Sequence, residues 1–310
     1  MDPQITSIQP GGGWCMSAEL LWGQWRRFYL RTFRRGYVER MRGLRRGEPT
    51  GVPHDVLDPR DLKFHRNLTD CHWDPADDPF TWRERLGVAR VGLAELIIIG
   101  GGFLALAAVM AYFFWPAAIV LAALGLFVVS FFRNPRRVVP QGAGIYVAPA
   151  DGKVVSIERL SHDEHIGGPA VVIGIFLSVF NVHINRVPVA ARVVGLSYHR
   201  GKFMNALFAD SVKYNEQMHV RLVEIGGRER RLVIKQIAGA IARRIVCWVR
   251  PGNELDGGEQ FGMIKLGSRT ELIIPDEPGL SVEVHIGMNV RAGASIMARY
   301  STRSGEHGGA

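Results

Sequence analysis

FGMIKLGSRTELIIP, residues 261–275, holds two short apolar runs, Met263–Leu266 and Leu272–Ile274, on either side of Gly267-Ser268. Short apolar runs divided by Gly and a small polar residue read as strand, turn, strand. The same texture fills everything after Pro140. Strands are expected at Gly144–Val147, Lys153–Ile157, Ala170–Phe180, Ala191–Tyr198, His219–Ile225, Arg231–Ile237, Ile245–Val249, Met263–Leu266, Glu271–Ile274, Ser281–Ile286 and Ser295–Tyr300. VRLVEIGGRERRLVIKQIA reads as a hairpin about Gly226-Gly227, and a helical piece is expected within Lys202–Tyr214. Strands this short and this frequent predict a mainly β fold, a sandwich or barrel. Within it, Gly267-Ser268 is ordinary turn punctuation unless its serine has chemistry to do.

Upstream of these strands, Leu96 to Phe132 is a run of 37 residues without a charge. A single membrane span needs about 20 apolar residues, so the run is nearly long enough for two. Trp115-Pro116 falls close to its middle, where proline ends or kinks a helix. Arg83, Arg85 and Arg90 precede it and Arg133, Arg136 and Arg137 follow. Basic flanks on both sides predict a membrane-associated helical hairpin over 91–135 with both ends in the cytoplasm, spanning or re-entrant. A buried pair of soluble helices is the plainer alternative. The cell membrane, with the C-terminal domain facing the cytoplasm, is the expected location.

Residues 1–90 form a basic extension with a polar, Gly-rich and disordered start. Residues 26–46 carry nine arginines against one glutamate, whereas 47–90 carry six basic and nine acidic residues. The mixture of Trp22, Trp25, Phe28 and Tyr29 with arginine suits an amphipathic helix over Ser17–Arg46 at an anionic lipid surface. Beside the apolar run, a phospholipid membrane is the expected partner and nucleic acid is not. Residues 48–80, rich in Pro and Asp, read as an irregular linker. Cys15, Cys71 and Cys247 are far apart and odd in number, which excludes a disulfide framework and a zinc site and points to a reducing compartment. The strand-rich domain runs over 136–303, with a disordered tail at 304–310.

There is no GxSxG, no P-loop, no HExxH and no GxGxxG after a strand. Chemistry must come from isolated polar residues among apolar strands. Asp151 in APADGKV, His183 in FLSVFNVHINRVPV and Ser268 stand out. Each alone reads equally as a turn residue or a satisfied core residue.

Their order is more informative. FFRNPRR (131–137), PADG (149–152), NVHINRVP (181–188), YHRGKF (198–203), NE (215–216) and FGMIKLGS (261–268) occur in one sequence. Together they resemble the phosphatidylserine decarboxylase proenzyme family, in its short bacterial and archaeal form, over residues 96–303. The resemblance implies self-cleavage between Gly267 and Ser268, with Ser268 becoming a covalent pyruvoyl group and neither metal nor PLP required. The pyruvoyl ketone would form a Schiff base with the amine of phosphatidylserine, and loss of CO₂ would give phosphatidylethanolamine. A β chain (1–267) and an α chain (268–310) would stay together as a heterodimer, with higher oligomers left open. Asp151 matches the aspartate of the family's Asp-His-Ser arrangement. The longer bacterial form has a second histidine where NVHINRVP has Arg186, so His183 would serve both cleavage and decarboxylation, or His199 would supply the base for cleavage. Asn215 and Glu216 are candidates to line the site. GMNVRAGASIMARY (287–300) resembles the hairpin of lipoyl and biotinyl carrier domains, but Met288–Ala292 lacks the lysine those domains modify, so it reads as a structural hairpin. Two other functions share the pattern: an uncleaved membrane-anchored lipid-binding protein of the same fold, and a pyruvoyl decarboxylase for another amino-acid-derived substrate.

Overall fold

In the computed structural model, residues 14–301 are described, apart from 67, 209, 241–243 and 266. The expected disordered start and the tail at 304–310 lie outside those residues or nearly so. Fourteen strands follow residue 144 among the described residues: β1 (Ile145–Val147), β2 (Gly152–Asp163), β3 (Gly168–Leu177), β4 (Ile184–Arg186), β5 (Ala191–His199), β6 (Gln217–Glu224), β7 (Arg231–Ala238), β8 (Arg244–Cys247), β9 (Glu254–Leu255), β10 (Gln260–Lys265), β11 (Ser268–Pro275), β12 (Leu280–Val282), β13 (Asn289–Val290) and β14 (Ile296–Tyr300). Eight of them make one curled sheet in the order β13-β2-β3-β11-β7-β6-β5-β9, and two three-stranded sheets, β4-β10-β8 and β1-β14-β12, complete the mainly β fold. All pairings are antiparallel.

The strand at the centre is β11. It pairs with β3 from Ser268↔Leu177 to Pro275↔Ala170 and with β7 from Ser268↔Ala238 to Ile273↔Val233. Every residue of β11 is buried. Leu272 and Ile274 enter the main core with Ile173, Ile175, Val220 and Ile234, while Ile273 packs on the opposite face with Ala170, Val172 and Val233. Burial on both faces explains why its apolar residues run consecutively rather than alternating.

The hairpin about Gly226 forms between β6 and β7 as expected, with Gly226 at φ +75°. The helical piece is one turn, Ser211–Tyr214. GMNVRAGASIMARY is not a hairpin. Its β13 pairs with β2 and its β14 with β1 and β12, so the two halves enter different sheets. The register of each half is decided by distant strands, which local turn chemistry cannot show.

The N-terminal part is helical. Helices α1 (Trp14–Phe33) and α2 (Arg35–Leu44) replace the single helix expected over 17–46. The acidic residues that follow fold back on the arginines: Arg26 and Arg27 reach Asp61, Arg31 reaches Asp55 and Arg46 reaches Asp74. Part of the basic block is therefore neutralised within the chain. The irregular segment between has a small core of Val56, Leu62 and Cys71, with Val52 and Trp73 packed on it.

A helix continuous from Arg90 to Phe113 is long and apolar enough to cross a membrane. It includes a π turn at Leu96–Gly100 and ends in α3 (Gly101–Phe113). After a break at Phe114, α4 (Trp115–Phe131) begins with Pro116 in its first turn, where the missing N–H costs no hydrogen bond. At 1.5 Å per residue its 17 residues cover about 25 Å, less than a hydrocarbon core of about 30 Å. The two arms touch through Gly125 against Leu104 and Gly100 against Val128. Elsewhere Ile97, Ile98, Leu106, Val109, Ile119, Val120 and Leu126 are exposed.

Candidate active site

β10 ends at Lys265 in one sheet and β11 begins at Ser268 in another. Gly267 takes φ +62°, a left-handed conformation that glycine adopts without side-chain strain, and Ser268 is already the first residue of β11. Ser268 is fully buried between Leu177 and Ala238, and its Oγ has no hydrogen-bond partner among the described residues. On the far side, Gly239 lies so close that a Cβ there would sit 2.2 Å from the carbonyl oxygen of Gly267. The peptide between residues 267 and 268 is thus pressed between two strand ends.

His183 meets the amide nitrogen of Gly267, one peptide bond before that carbonyl. The backbone N–H of Gly267 donates to Nε2 of His183 at 3.2 Å. The other ring nitrogen, Nδ1, donates to the carbonyl of Asn181 at 2.9 Å, which fixes the tautomer with its lone pair toward Gly267. Asn181 is held by its own tight turn, its Oδ1 accepting from both the N–H and the Oγ of Ser178. The imidazole is fully buried, and desolvation holds its pKa down at about 4 despite the Asn181 hydrogen bond. It is neutral at physiological pH and able to accept a proton.

The hairpin closes the site from outside. The ring of Phe131, at the end of α4, packs on His183 with centroids 4.6 Å apart. Phe131 and Phe132 form a second core with Val182, Ile184, Val246 and Met263. Arg133 donates to the carbonyl of Phe180 at 2.6 Å, tying the end of the hairpin to the loop that carries His183.

The other residues named from sequence meet at the same end of the large sheet, but not in contact with His183. Asp151 immediately precedes β2, and β2 is separated from β11 by β3 alone. Two strand spacings place it about 10 Å from Ser268. Its Oδ2 accepts from Arg137 at 2.7 Å and its Oδ1 from the N–H of Ala292 at 2.7 Å. Burial raises its pKa, while these two donors act in the opposite direction. The Asn181 carbonyl, rather than the Asp151 carboxylate, holds the His183 ring. Arg186 donates to the carbonyl of Gly258 at 2.9 Å, and also to Asn134 Oδ1 and the carbonyl of Pro135.

On the other flank, the carbonyl of Glu216 accepts from Ala238 N–H at 2.9 Å, which sets it two strands from Ser268. Its carboxyl group is buried, receives the Tyr198 hydroxyl and has a raised pKa through desolvation. Asn215 is fully engaged: its amide donates to the carbonyls of Ala238 and Met204, and its Oδ1 accepts from Met204 N–H. It anchors the 200–214 loop, whose Ala206 packs near Gly239. His199 is farther out, on β5, with its ring 4.5 Å from that of His219. Two β strands, β7 and β6, separate β5 from β11. Sequence reading missed Asn181, Gly239 and Phe131. The first and last lie inside quoted motifs, whereas nothing in QIAGA marks Gly239.

Comparison with known proteins gives the same direction. The family model described as phosphatidylserine decarboxylase matches residues 124–298. A phosphatidylserine decarboxylase proenzyme of Rhodopirellula baltica is 52% identical over 241 residues, covering 77% of this chain and 99% of that protein. The proenzyme of Syntrophus aciditrophicus is 41% identical over 217 residues, covering 69% and 97% respectively. That of Symbiobacterium thermophilum is 42% identical over 200 residues, covering 64% and 91%. Ser268 at the start of β11, Gly267 before it and the buried His183 that Gly267 meets all lie within the matched region. This chain belongs to the phosphatidylserine decarboxylase proenzyme family of enzymes.

Proposed function

We propose that the chain is a self-cleaving proenzyme that becomes a pyruvoyl-dependent decarboxylase of phosphatidylserine. The observation that carries this reading is the hydrogen bond from the Gly267 N–H to His183 Nε2, made by the residue that precedes the buried, unpartnered Oγ of Ser268.

The residues present suit the chemistry. His183 Nε2, on releasing the Gly267 N–H that it accepts, would take the proton of Ser268 Oγ as that oxygen attacks the Gly267 carbonyl carbon. Glycine offers no side chain to obstruct the approach. The C–N bond breaks, the proton passes to the Ser268 nitrogen, and an ester joins the two residues. His183 then removes the Cα proton of Ser268 while the Cβ–O bond breaks, leaving a Gly267 carboxylate and a dehydroalanine. Tautomerisation, addition of water and release of ammonia convert this to a pyruvoyl end at position 268. In the mature enzyme that group supplies a carbonyl that condenses with a primary amine and accepts the electron pair left by CO₂. His183, with one nitrogen fixed by Asn181, would return a proton to the substrate carbon. Asp151, through Arg137 and Ala292, holds one wall of the sheet end, and Glu216 lines the other.

Cleavage would not release the α chain, because β11 is hydrogen-bonded to β3 and β7 along its length. A heterodimer of 1–267 and 268–310 follows. The hairpin and α1 support residence at a phospholipid membrane. Trp22, Trp25, Phe28, Tyr29 and Phe33 of α1 are exposed, as are Phe180, Leu207 and Phe208 on loops at the site. Arginines on both flanks of the hairpin favour a catalytic domain on the cytoplasmic side.

Mass spectrometry of the freshly purified chain tests the reading. A fragment beginning at residue 268 with a pyruvoyl end, and CO₂ release from phosphatidylserine vesicles but not from free serine, are expected. An intact chain in membrane extracts would leave an uncleaved lipid-binding protein, and CO₂ release from another amine would reassign the substrate.

A further inference from the structure

Two residues before Gly267, the last pair of the β10–β8 ladder sets Lys265 directly opposite Arg244. Like charges facing each other across an antiparallel pair repel. Both side chains are nearly buried, 7% and 3% exposed, so water does little to screen them. The neutralising carboxylates come from elsewhere. Glu19 of α1 accepts from Lys265 at 3.0 Å, from Arg244 at 2.7 Å and from Lys63, and Glu95 at the start of the hairpin also accepts from Lys265. Glu19 and Glu95 are themselves only 7% and 12% exposed. The surrounding cations hold Glu19 ionised, with its pKa down at about 2 although burial alone raises it.

Both carboxylates lie outside residues 124–298, the part of the chain that matches the family model. Removing one partner from a buried charge cluster leaves the rest uncompensated, which costs far more than losing an exposed pair. The paired charges at this end of the β10–β8 ladder are therefore compensated by residues of α1 and the hairpin base. That strand end carries Gly267, whose N–H meets His183 and whose carbonyl oxygen abuts Gly239.

We infer that Glu19 and Glu95 are positioning residues for self-cleavage: by compensating Lys265 and Arg244 they fix Gly267, which meets His183 through its N–H and carries the carbonyl to be attacked, so that the precursor cleaves once its N-terminal helix and membrane hairpin have docked. This rests on the reading of Gly267-Ser268 as the scissile bond.

The test follows the appearance of the 268–310 fragment in newly synthesised full-length chain by pulse–chase. Small displacements of reacting groups cost up to about a hundredfold in rate, so Glu19→Gln should slow cleavage about tenfold or more. Glu19→Asp keeps the charge and should restore most of the rate, and Glu95→Gln should slow cleavage as well. Chains that have completed cleavage should decarboxylate with the parent kcat, which a general loss of folding would not allow. Unfolding measured in a Ser268→Ala background shows whether each precursor is folded. If Glu19→Gln does not fold, Glu95→Gln and Glu19→Asp report on the same link. Cleavage at the parent rate in the folded Gln variants overturns the inference. Equal slowing by Asp and Gln, together with a reduced kcat after cleavage, also overturns it by making the contact merely structural. A parent chain that never yields the fragment instead overturns the self-cleavage reading itself.

Discussion

The backbone N–H of Gly267 donates to His183 Nε2 at 3.2 Å, while Nδ1 of the same ring is committed to the Asn181 carbonyl. This pair joins the residue before Ser268 to a buried imidazole, the base proposed above for self-cleavage. His183→Ala is expected to reduce self-cleavage by about 10²–10⁴-fold, the usual contribution of a positioned general base. Pulse–chase of the variant checks it. Normal processing would transfer the role to another group, with His199 first in line.

The same burial sets a pH profile. With its pKa at about 4, His183 stays neutral through the mildly acidic range, so cleavage should be level from neutral pH to about pH 5 and fall below that. The sign for stability follows: the unfolded histidine, near 6.5, binds its proton more readily than the folded one. The folded state therefore gains stability as pH rises from about 4 to about 6.5 and loses it as pH falls through that window. Denaturant titrations of the Ser268→Ala precursor across this range would show it.

Ser268→Ala should abolish the 268–310 fragment and leave the precursor folded. Its Oγ is buried without a hydrogen-bond partner, so removing it relieves a desolvated hydroxyl, and stability should stay within about 1 kcal/mol or rise. Urea unfolding of the precursor gives the value.

Gly239→Ala should damage the site without touching its chemistry. The added methyl would meet the Gly267 carbonyl oxygen at 2.2 Å. The atoms it would meet are the Gly267 backbone and the Ala206 methyl, which leave little room to yield, so a loss of about 1–3 kcal/mol and slower cleavage are expected. Thermal unfolding and the fragment assay would separate the two effects.

Asp151 and Arg137 should behave as one unit. Asp151→Asn and Arg137→Ala each break the 2.7 Å ion pair at the sheet end, and each should slow cleavage by a similar factor. A much larger effect of Asp151→Asn would mean that the carboxylate reaches the proton path in a rearranged state. The double variant, compared with both singles, measures the coupling.

Membrane attachment through α1 is open to vesicle sedimentation. Replacing exposed Trp25 and Phe28 with Glu should weaken binding to anionic vesicles without disturbing the buried Leu30 contact. Unchanged sedimentation would assign attachment to the hairpin alone.

The sequence carried the mainly β domain and the break at Trp115-Pro116, because strand texture and proline are local properties, and its ordered short motifs nominated Asp151, His183 and Ser268 as candidates. It marked Gly267-Ser268 as a strand boundary, but placed the next strand at Glu271 where β11 starts at Ser268. It also could not show that GMNVRAGASIMARY divides between two sheets, since register there is set by β2 and β1 from far upstream. Only the tertiary structure decided how His183 is held, by a carbonyl two residues away rather than by Asp151, because a side chain's hydrogen-bond partner depends on packing. The same is true of the extension. Read along the chain, residues 26–46 were a basic surface block; folded, Arg26 and Arg27 turn to Asp61, and Glu19 meets Lys265 beside the Gly267-Ser268 peptide. Charges separated by hundreds of residues find one another only when the core that buries them has formed.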